Sequence, residues 1–256
     1  MKVLAVGDLV GNNAIKKLRH DLEKIRENEK IDFVIVNGEN VAEGMGITEN
    51  NFNDILATGV NVITMGNHTW GKKDIFKFID HPKLIRPANY NQGVVGKGYT
   101  ISECNGKKIA VINLIGRVDM NVLSENPFLV ANRIVEKIKN DVDIIIVDFH
   151  AEATAEKIAF GYYMDGKVTA IFGTHTHVQT ADEKILPNGT GYITDIGMTG
   201  PKNSVIGMNI ETSIKRFETT LPERYKIADG ETILNGVIFE INDENCKVEK
   251  VKRIQM

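Results

Sequence analysis

Eight residues carry side chains suited to holding cations or moving protons, and each stands at or just past the end of an apolar run. Asp8 follows Val3-Leu4-Ala5-Val6-Gly7, and Glu39 with Asn40 follows Phe33-Val34-Ile35-Val36-Asn37-Gly38. Asn67 and His68 follow Val62-Ile63-Thr64-Met65-Gly66. His150 follows Ile144-Ile145-Ile146-Val147-Asp148-Phe149, and His175 with His177 follows Val168-Thr169-Ala170-Ile171-Phe172-Gly173-Thr174. Only Cys104 and Cys246 are present, so a thiolate zinc site is excluded by count. A metal held here takes nitrogen and oxygen donors, which suits Mn, Fe or Zn. In an extended segment residues i and i+2 face one side, about 7 Å apart. His175-Thr176-His177 could then serve two ions about 3.5–4 Å apart, the spacing of two-metal hydrolases. Asp8 and Glu39 set two negative charges against the four of two divalent cations. A bridging hydroxide removes one more, and the positive remainder suits a phosphodiester anion.

Taken singly, these residues have plainer readings. Asp8 after a strand suits a helix cap. Glu39-Asn40 suits a polar loop, His150 a buried hydrogen-bonded imidazole, and His68 a donor to a carbonyl. Taken together they need a common position. The carboxyl ends of parallel strands gather on one edge of an α/β sheet, and sites form in the crevice there. Glycine precedes most of them (Gly7, Gly38, Gly66 and Gly173), which is expected to permit a sharp turn aiming each side chain over the sheet edge.

The elements that must position them alternate between short β-rich runs and helical stretches. Strands are expected at 3–7, 32–36, 62–65, 144–147 and 168–172. Helices are expected at 12–28, 49–58, 72–79, 127–139, 152–164 and 211–217. The first helix has Ile15, Leu18, Leu22 and Ile25 on one face. Segments 99–103 and 108–112 flank Asn105-Gly106, a two-residue hairpin turn needing positive φ at both positions. A terminal antiparallel pair, 232–241 with 247–254, turns through Asn242-Asp243-Glu244-Asn245. Parallel units plus hairpins predict two mixed β-sheets packed face to face with helices outside. No repeat or linker interrupts the 256 residues, so a single domain spanning 1–256 is expected.

Composition narrows the classes. A net charge of -3 offers no basic field for duplex nucleic acid. No apolar run is long enough to span a membrane, and the opening apolar stretch is too short for a signal peptide, so a cytoplasmic protein is expected. Oligomeric state is open, a homo-oligomer included. Other candidates have modest roles: His20 solvated, His81 a helix-end dipole partner, Trp70 packing, Cys104 inert, and Arg86 and Arg117 in surface ion pairs.

The full motif set resembles a known family. Gly7-Asp8-Leu9-Val10-Gly11, Asn37-Gly38-Glu39-Asn40, Gly66-Asn67-His68-Thr69-Trp70, Asp148-Phe149-His150-Ala151-Glu152 and Gly173-Thr174-His175-Thr176-His177 look like the calcineurin-like metallophosphoesterase series. The match is nearest to the YmdB-type bacterial phosphodiesterases. It continues through Arg86-Pro87-Ala88-Asn89, Val178-Gln179-Thr180-Ala181-Asp182 and Thr194-Asp195-Ile196-Gly197-Met198-Thr199-Gly200-Pro201. The resemblance implies a four-layer α/β/β/α sandwich. It implies Asp8, Asn40 and His177 on one metal, Asn67, His150 and His175 on the other, and Glu39 bridging. Where the wider superfamily has Asp-x-His, this chain has Asp8-Leu9-Val10; Asn40 stands in for the missing His and Glu39 for the usual bridging Asp. The resemblance further implies Fe or Mn, His68 as a non-ligand near the substrate, and cyclic nucleotides as substrates with 2′,3′-cyclic AMP favoured. The mechanism expected at such a centre is attack by a bridging hydroxide, with His68, when protonated, as general acid. It also implies a role in global regulation, with RNA-processing proteins as partners. A phosphomonoesterase or nucleotidase on the same centre, and a regulatory binding protein with a structural metal, are the alternatives.

Overall fold

The computed structural model describes residues 1–256. The first half runs β1 (Lys2–Val6), β2 (Asp8–Leu9), α1 (Asn12–Glu29), β3 (Phe33–Asn37), α2 (Glu49–Leu56), β4 (Val62–Thr64) and β5 (Leu84–Ile85). The second half opens with the hairpin β6 (Tyr99–Cys104) and β7 (Lys107–Ile115), followed by α3 (Pro127–Ile138), β8 (Ile144–His150), α4 (Thr154–Met164) and β9 (Ala170–Thr174). It closes with β10 (Lys184–Ile185), β11 (Gly191–Ile193), β12 (Met198–Pro201), α5 (Ile210–Thr219), β13 (Thr232–Ile233), β14 (Asn235–Ile241) and β15 (Val248–Gln255).

Two six-stranded mixed sheets result, in the orders β15-β14-β1-β3-β4-β5 and β10-β11-β9-β8-β7-β6. Strand alternation explains the layering. Leu4, Val6, Val34, Val36 and Ile63 face outward and pack with Ile15, Leu18, Leu22 and Ile25 of α1 and with Phe52 and Ile55 of α2. Their neighbours Val3, Ala5, Phe33, Ile35 and Val62 face inward and meet Ile109, Val111, Ile144, Ile146 and Phe172 of the second sheet. That sheet's outer face, with Ala110, Ile112, Ile145, Val147 and Ile171, is covered by α3 and α4. The expected α/β/β/α sandwich is therefore present, and its strands read as continuous apolar runs because both faces are buried. No helix is long and apolar enough to cross a membrane.

Local rules account for several boundaries. Thr48 and Asn51 form a reciprocal capping box at α2, and Asn126 caps α3 with Pro127 in its first turn. The hairpin turn has the expected positive φ, 51° at Asn105 and 73° at Gly106. Other expectations are corrected. Segment 72–79 is not an α-helix but a 3-10 helix, Lys73–Lys77, closed at Phe78, whose N–H donates to the Ile75 carbonyl. The strand expected at 168–172 is displaced to Ala170–Thr174. The run 232–241 splits: Thr232–Ile233 joins a third sheet of order β13-β12-β2, while Asn235–Ile241 joins the first sheet. That third sheet carries Asp8, paired with Met198. Its strands are two to four residues long, too short for any hydrophobic period to reveal.

Candidate metal centre

The two sheets place the carboxyl ends of β1, β3, β4, β8 and β9 on a common edge, and the eight candidate residues come together there. His150 ends β8 fully buried, and its Nε2 faces three groups at once. Glu39 Oε1 lies 3.1 Å away, Asn67 Oδ1 2.8 Å and His175 Nδ1 3.1 Å. One ring nitrogen can carry one proton, so it cannot satisfy all three; a cation among them can. On the other side of Glu39, Asn40 Nδ2 lies 3.4 Å from its Oε1 and 3.1 Å from His177 Nε2, which is 3.9 Å from Asp8 Oδ1. Asp8 Oδ1 is buried and has no hydrogen-bond partner. A buried carboxylate oxygen without a partner is costly unless a cation meets it. His68 Nδ1 sits 2.6 Å from Asn40 Oδ1 and 3.4 Å from Glu39 Oε1.

The electrostatics follow from burial and proximity. Burial, the largest single influence, would raise the Glu39 carboxyl, but the charges and hydrogen bonds of His150 and His68 together outweigh it and hold it down at about 2. Burial alone would lower His150, but Glu39, Asp8 and Asp148 push it up to about 9. Burial pushes Asp8 above the usual carboxylate range, opposed by His177 and His150. Burial, reinforced by His150, lowers His175 to about 3.

His175-Thr176-His177 is not the extended segment expected. His175 has φ 100° and His177 φ 65°, the left-handed region that non-glycine residues seldom occupy. Such strain costs about 1–3 kcal/mol per residue and persists only where surroundings impose it. The turn sends the two imidazoles to different partners, His175 to His150 and His177 to Asn40. What imposes it was missed at the sequence level. Asp195 Oδ2 accepts from Thr176 N at 3.2 Å and Thr176 Oγ1 at 2.8 Å, and Lys157 Nζ of α4 donates to the same oxygen at 2.6 Å. Lys157 and Asp195 are both buried. The available signal was a lysine on the apolar side of an expected helix.

A second support was also missed. Thr174 Oγ1 lies 2.9 Å from His150 Nδ1 and donates to Asp148 Oδ1 at 2.7 Å, while Thr64 Oγ1 donates to Asp148 Oδ2 at 2.5 Å. Burial raises the Asp148 carboxyl to about 7. This chain fixes the His150 ring with Nε2 toward the cluster.

The glycines serve closeness rather than turning. Gly7, Gly38, Gly66 and Gly173 all lack positive φ. A Cβ on Gly66 would lie 2.3 Å from His150 Nε2 and 2.4 Å from Glu39 Oε2. Gly66→Ala is expected to destabilise the fold by about 1–3 kcal/mol through overpacking. Denaturant unfolding checks this; an unchanged midpoint would show slack beside His150.

The remaining candidates resolve simply. Arg86 is not on the surface; it is buried and donates to the carbonyls of Pro87, Val94, Val95 and Gly96, clamping that loop. His81 is a turn acceptor, taking the Lys83 N–H at 3.1 Å, rather than a dipole partner. Trp70 stacks on Phe76 with centroids 5.5 Å apart. His20 and Arg117 are exposed. The cluster opens into a cavity of about 1100 Å³, whose far wall comes from residues 206–227.

A sandwich of this layering, with His, Asn and acidic residues meeting at its strand ends, is the calcineurin-like metallophosphoesterase architecture. The NAD nucleotidase of Haemophilus influenzae shares the fold, with a TM-score of 0.63 at 14% identity over 100% of this chain and 55% of that one. The chain belongs to the YmdB-like protein family, whose profile matches residues 4–254. It is 49% identical over 255 residues to the 2′,3′-cyclic-nucleotide 2′-phosphodiesterase of Bacillus subtilis strain 168, covering 99% of this chain and 96% of that one. A Mycoplasma pneumoniae structure described as a novel phosphatase superposes with a TM-score of 0.94 at 40% identity, covering 100% of this chain and 93% of that one.

Proposed function

We propose that the chain is a metal-dependent phosphoric diester hydrolase acting on 2′,3′-cyclic nucleotides, 2′,3′-cyclic AMP foremost, with two ions, Fe or Mn, at the strand-end cluster. The observation that carries this reading is His150 Nε2 facing Glu39, Asn67 and His175 within 3.1 Å, beside the partnerless Asp8 Oδ1. The Bacillus relative's name supports the substrate.

Asp8, Asn40 and His177 would hold one ion, Asn67, His150 and His175 the other, and Glu39 both. Glu39 Oε1 is within 3.4 Å of a member of each group, which supports the bridging role. Asn40 turns its amide nitrogen toward Glu39 and His177, so ligation requires the carboxamide to rotate and present oxygen. His177 Nδ1 donates to the Ile206 carbonyl at 2.9 Å, leaving the Nε2 lone pair for a ligand. Bound cations would lower the pKa of a water, neutralise phosphate charge and orient the diester. In the reaction a water oxygen forms a bond to phosphorus and the P–O2′ bond breaks, leaving a 3′-phosphomonoester and a free 2′-hydroxyl. His68, whose Nδ1 is engaged by Asn40 and whose ring lines the cavity, supplies the proton to the departing 2′ oxygen.

Purified protein loaded with Mn is assayed on 2′,3′-cyclic AMP and bis-p-nitrophenyl phosphate. His68→Ala is expected to keep its metal yet lose about 10²–10⁴ in rate, and chelation to abolish turnover. Turnover that survives complete metal stripping would refute the reading. The Mycoplasma description favours a second reading, phosphomonoester hydrolysis at the same centre. The ratio of mono- to diester turnover separates the two.

A further inference from the structure

The cavity wall opposite the cluster carries cationic groups that the proposed chemistry does not use. We propose that this wall binds a second phosphate, so that the preferred substrate is an oligoribonucleotide ending in a 2′,3′-cyclic phosphate; this rests on the phosphodiesterase reading above. Three observations converge.

The first is size. At about 1100 Å³ the cavity exceeds the range of about 300–1000 Å³ typical of small-molecule sites. The second is charge. Four acids line the cavity: Glu39 belongs to the cluster, Glu43 pairs with Lys72 at 3.0 Å, Glu223 pairs with Lys215 at 2.5 Å, and Glu152 sits at the cluster side, 3.1 Å from His175 Nε2. Arg224 and Lys226 also line it, and neither side chain makes a hydrogen bond or ion pair within the protein. The wall therefore presents two uncommitted cations, although the whole chain carries a net charge of -3. The third is the residue between them. Tyr225 is 60% exposed and lines both this cavity and a smaller adjoining one of about 120 Å³. Arg216, which lines only the smaller one, holds the Tyr225 ring at 5.0 Å and donates to its hydroxyl. Arg216 braces the ring, and an exposed aromatic side chain on a cavity wall is suited to base stacking.

The wall is also tied to the cluster. Asn209 N donates to Lys226 O at 2.8 Å and Ala228 N to Gly207 O at 3.0 Å, while the neighbouring Ile206 carbonyl accepts from His177. Backbone pairing thus sets the cations and the aromatic ring at a fixed place relative to a histidine of the cluster. With the terminal cyclic phosphate at the cluster, the phosphodiester on the 5′ side of that nucleotide would meet Arg224 and Lys226, and a base would meet Tyr225.

The test compares Mn-loaded enzyme on 2′,3′-cyclic AMP and on a diribonucleotide ending in 2′,3′-cyclic phosphate, between 50 and 200 mM salt. The wild type is expected to favour the dinucleotide by about tenfold in kcat/KM, mainly through KM, with a salt slope steeper by about 0.7 for the extra phosphate. In Arg224→Gln/Lys226→Gln the ratio of the two kcat/KM values should fall toward one and the extra slope should vanish. A wild-type ratio near one, or a ratio untouched by the substitutions, overturns the second phosphate site and leaves cyclic-nucleotide hydrolysis standing. Turnover of neither substrate sinks both readings together.

Discussion

Glu39→Ala is expected to leave a folded protein with fewer than two bound ions and a kcat/KM lower by at least about 10³. The reason is how many groups one carboxylate serves. Oε1 lies 3.1 Å from His150 Nε2 and 3.4 Å from His68 Nδ1, and it accepts from Asn40 at 3.4 Å. Oε2 accepts from the His68 backbone N–H at 2.9 Å. Removing them leaves one carboxylate, Asp8, to offset the two cations of the proposed centre, and it frees the His68 loop. Glu39→Gln separates charge from shape, since the amide keeps one acceptor oxygen and nearly the same volume. It should fold like the wild type and still lose ions, as measured by elemental analysis alongside rate. A glutamine variant with full metal content and an unaltered rate would remove Glu39 from the bridging position.

Lys157→Met is expected to have the largest effect on stability. Lys157 Nζ and Asp195 Oδ2 are 2.6 Å apart and both side chains are almost wholly buried. Breaking such a pair strands a carboxylate in a low-dielectric interior at a cost of about 3–5 kcal/mol. For a chain of this size that is a fall in Tm of roughly 6–20 °C. The same oxygen accepts from Thr176, so the strained His175-Thr176-His177 turn should loosen and activity should fall with stability. The double variant Lys157→Met/Asp195→Asn removes the stranded charge and should recover most of the melting temperature. Its activity should recover less, because the asparagine offers only one acceptor oxygen where the carboxylate holds Thr176 with one oxygen and the Gly197 N–H with the other. If Lys157→Met melts with the wild type, the pair does not brace the turn.

Much of this architecture was legible in the sequence. Continuous apolar runs marked β1, β3, β4, β8 and β9, because strands buried on both faces need side chains such as Leu4 and Val3 on alternate sides. The polar residue at the end of each run marked the functional edge, because parallel strands align their carboxyl ends. A helix face such as Ile15, Leu18, Leu22 and Ile25 announced which side would be covered. These are local patterns, and burial imposes them on neighbours in the chain.

Tertiary structure alone decided the rest. The left-handed turns at His175 and His177 are paid for by Lys157 on α4 and Asp195 in the loop between β11 and β12. Gly66 is glycine because His150 and Glu39, far away in sequence, crowd its Cα. Arg86 is buried because four carbonyls of its own loop fold around it. Asp8 sits in a sheet too short to have a period, and α5 packs no buried residue yet contributes to the wall facing the cluster. Hydrophobic periodicity records whether a segment is buried. Loop dihedrals, close approaches and pairings between distant residues arise only when separate segments meet, so no local pattern can encode them.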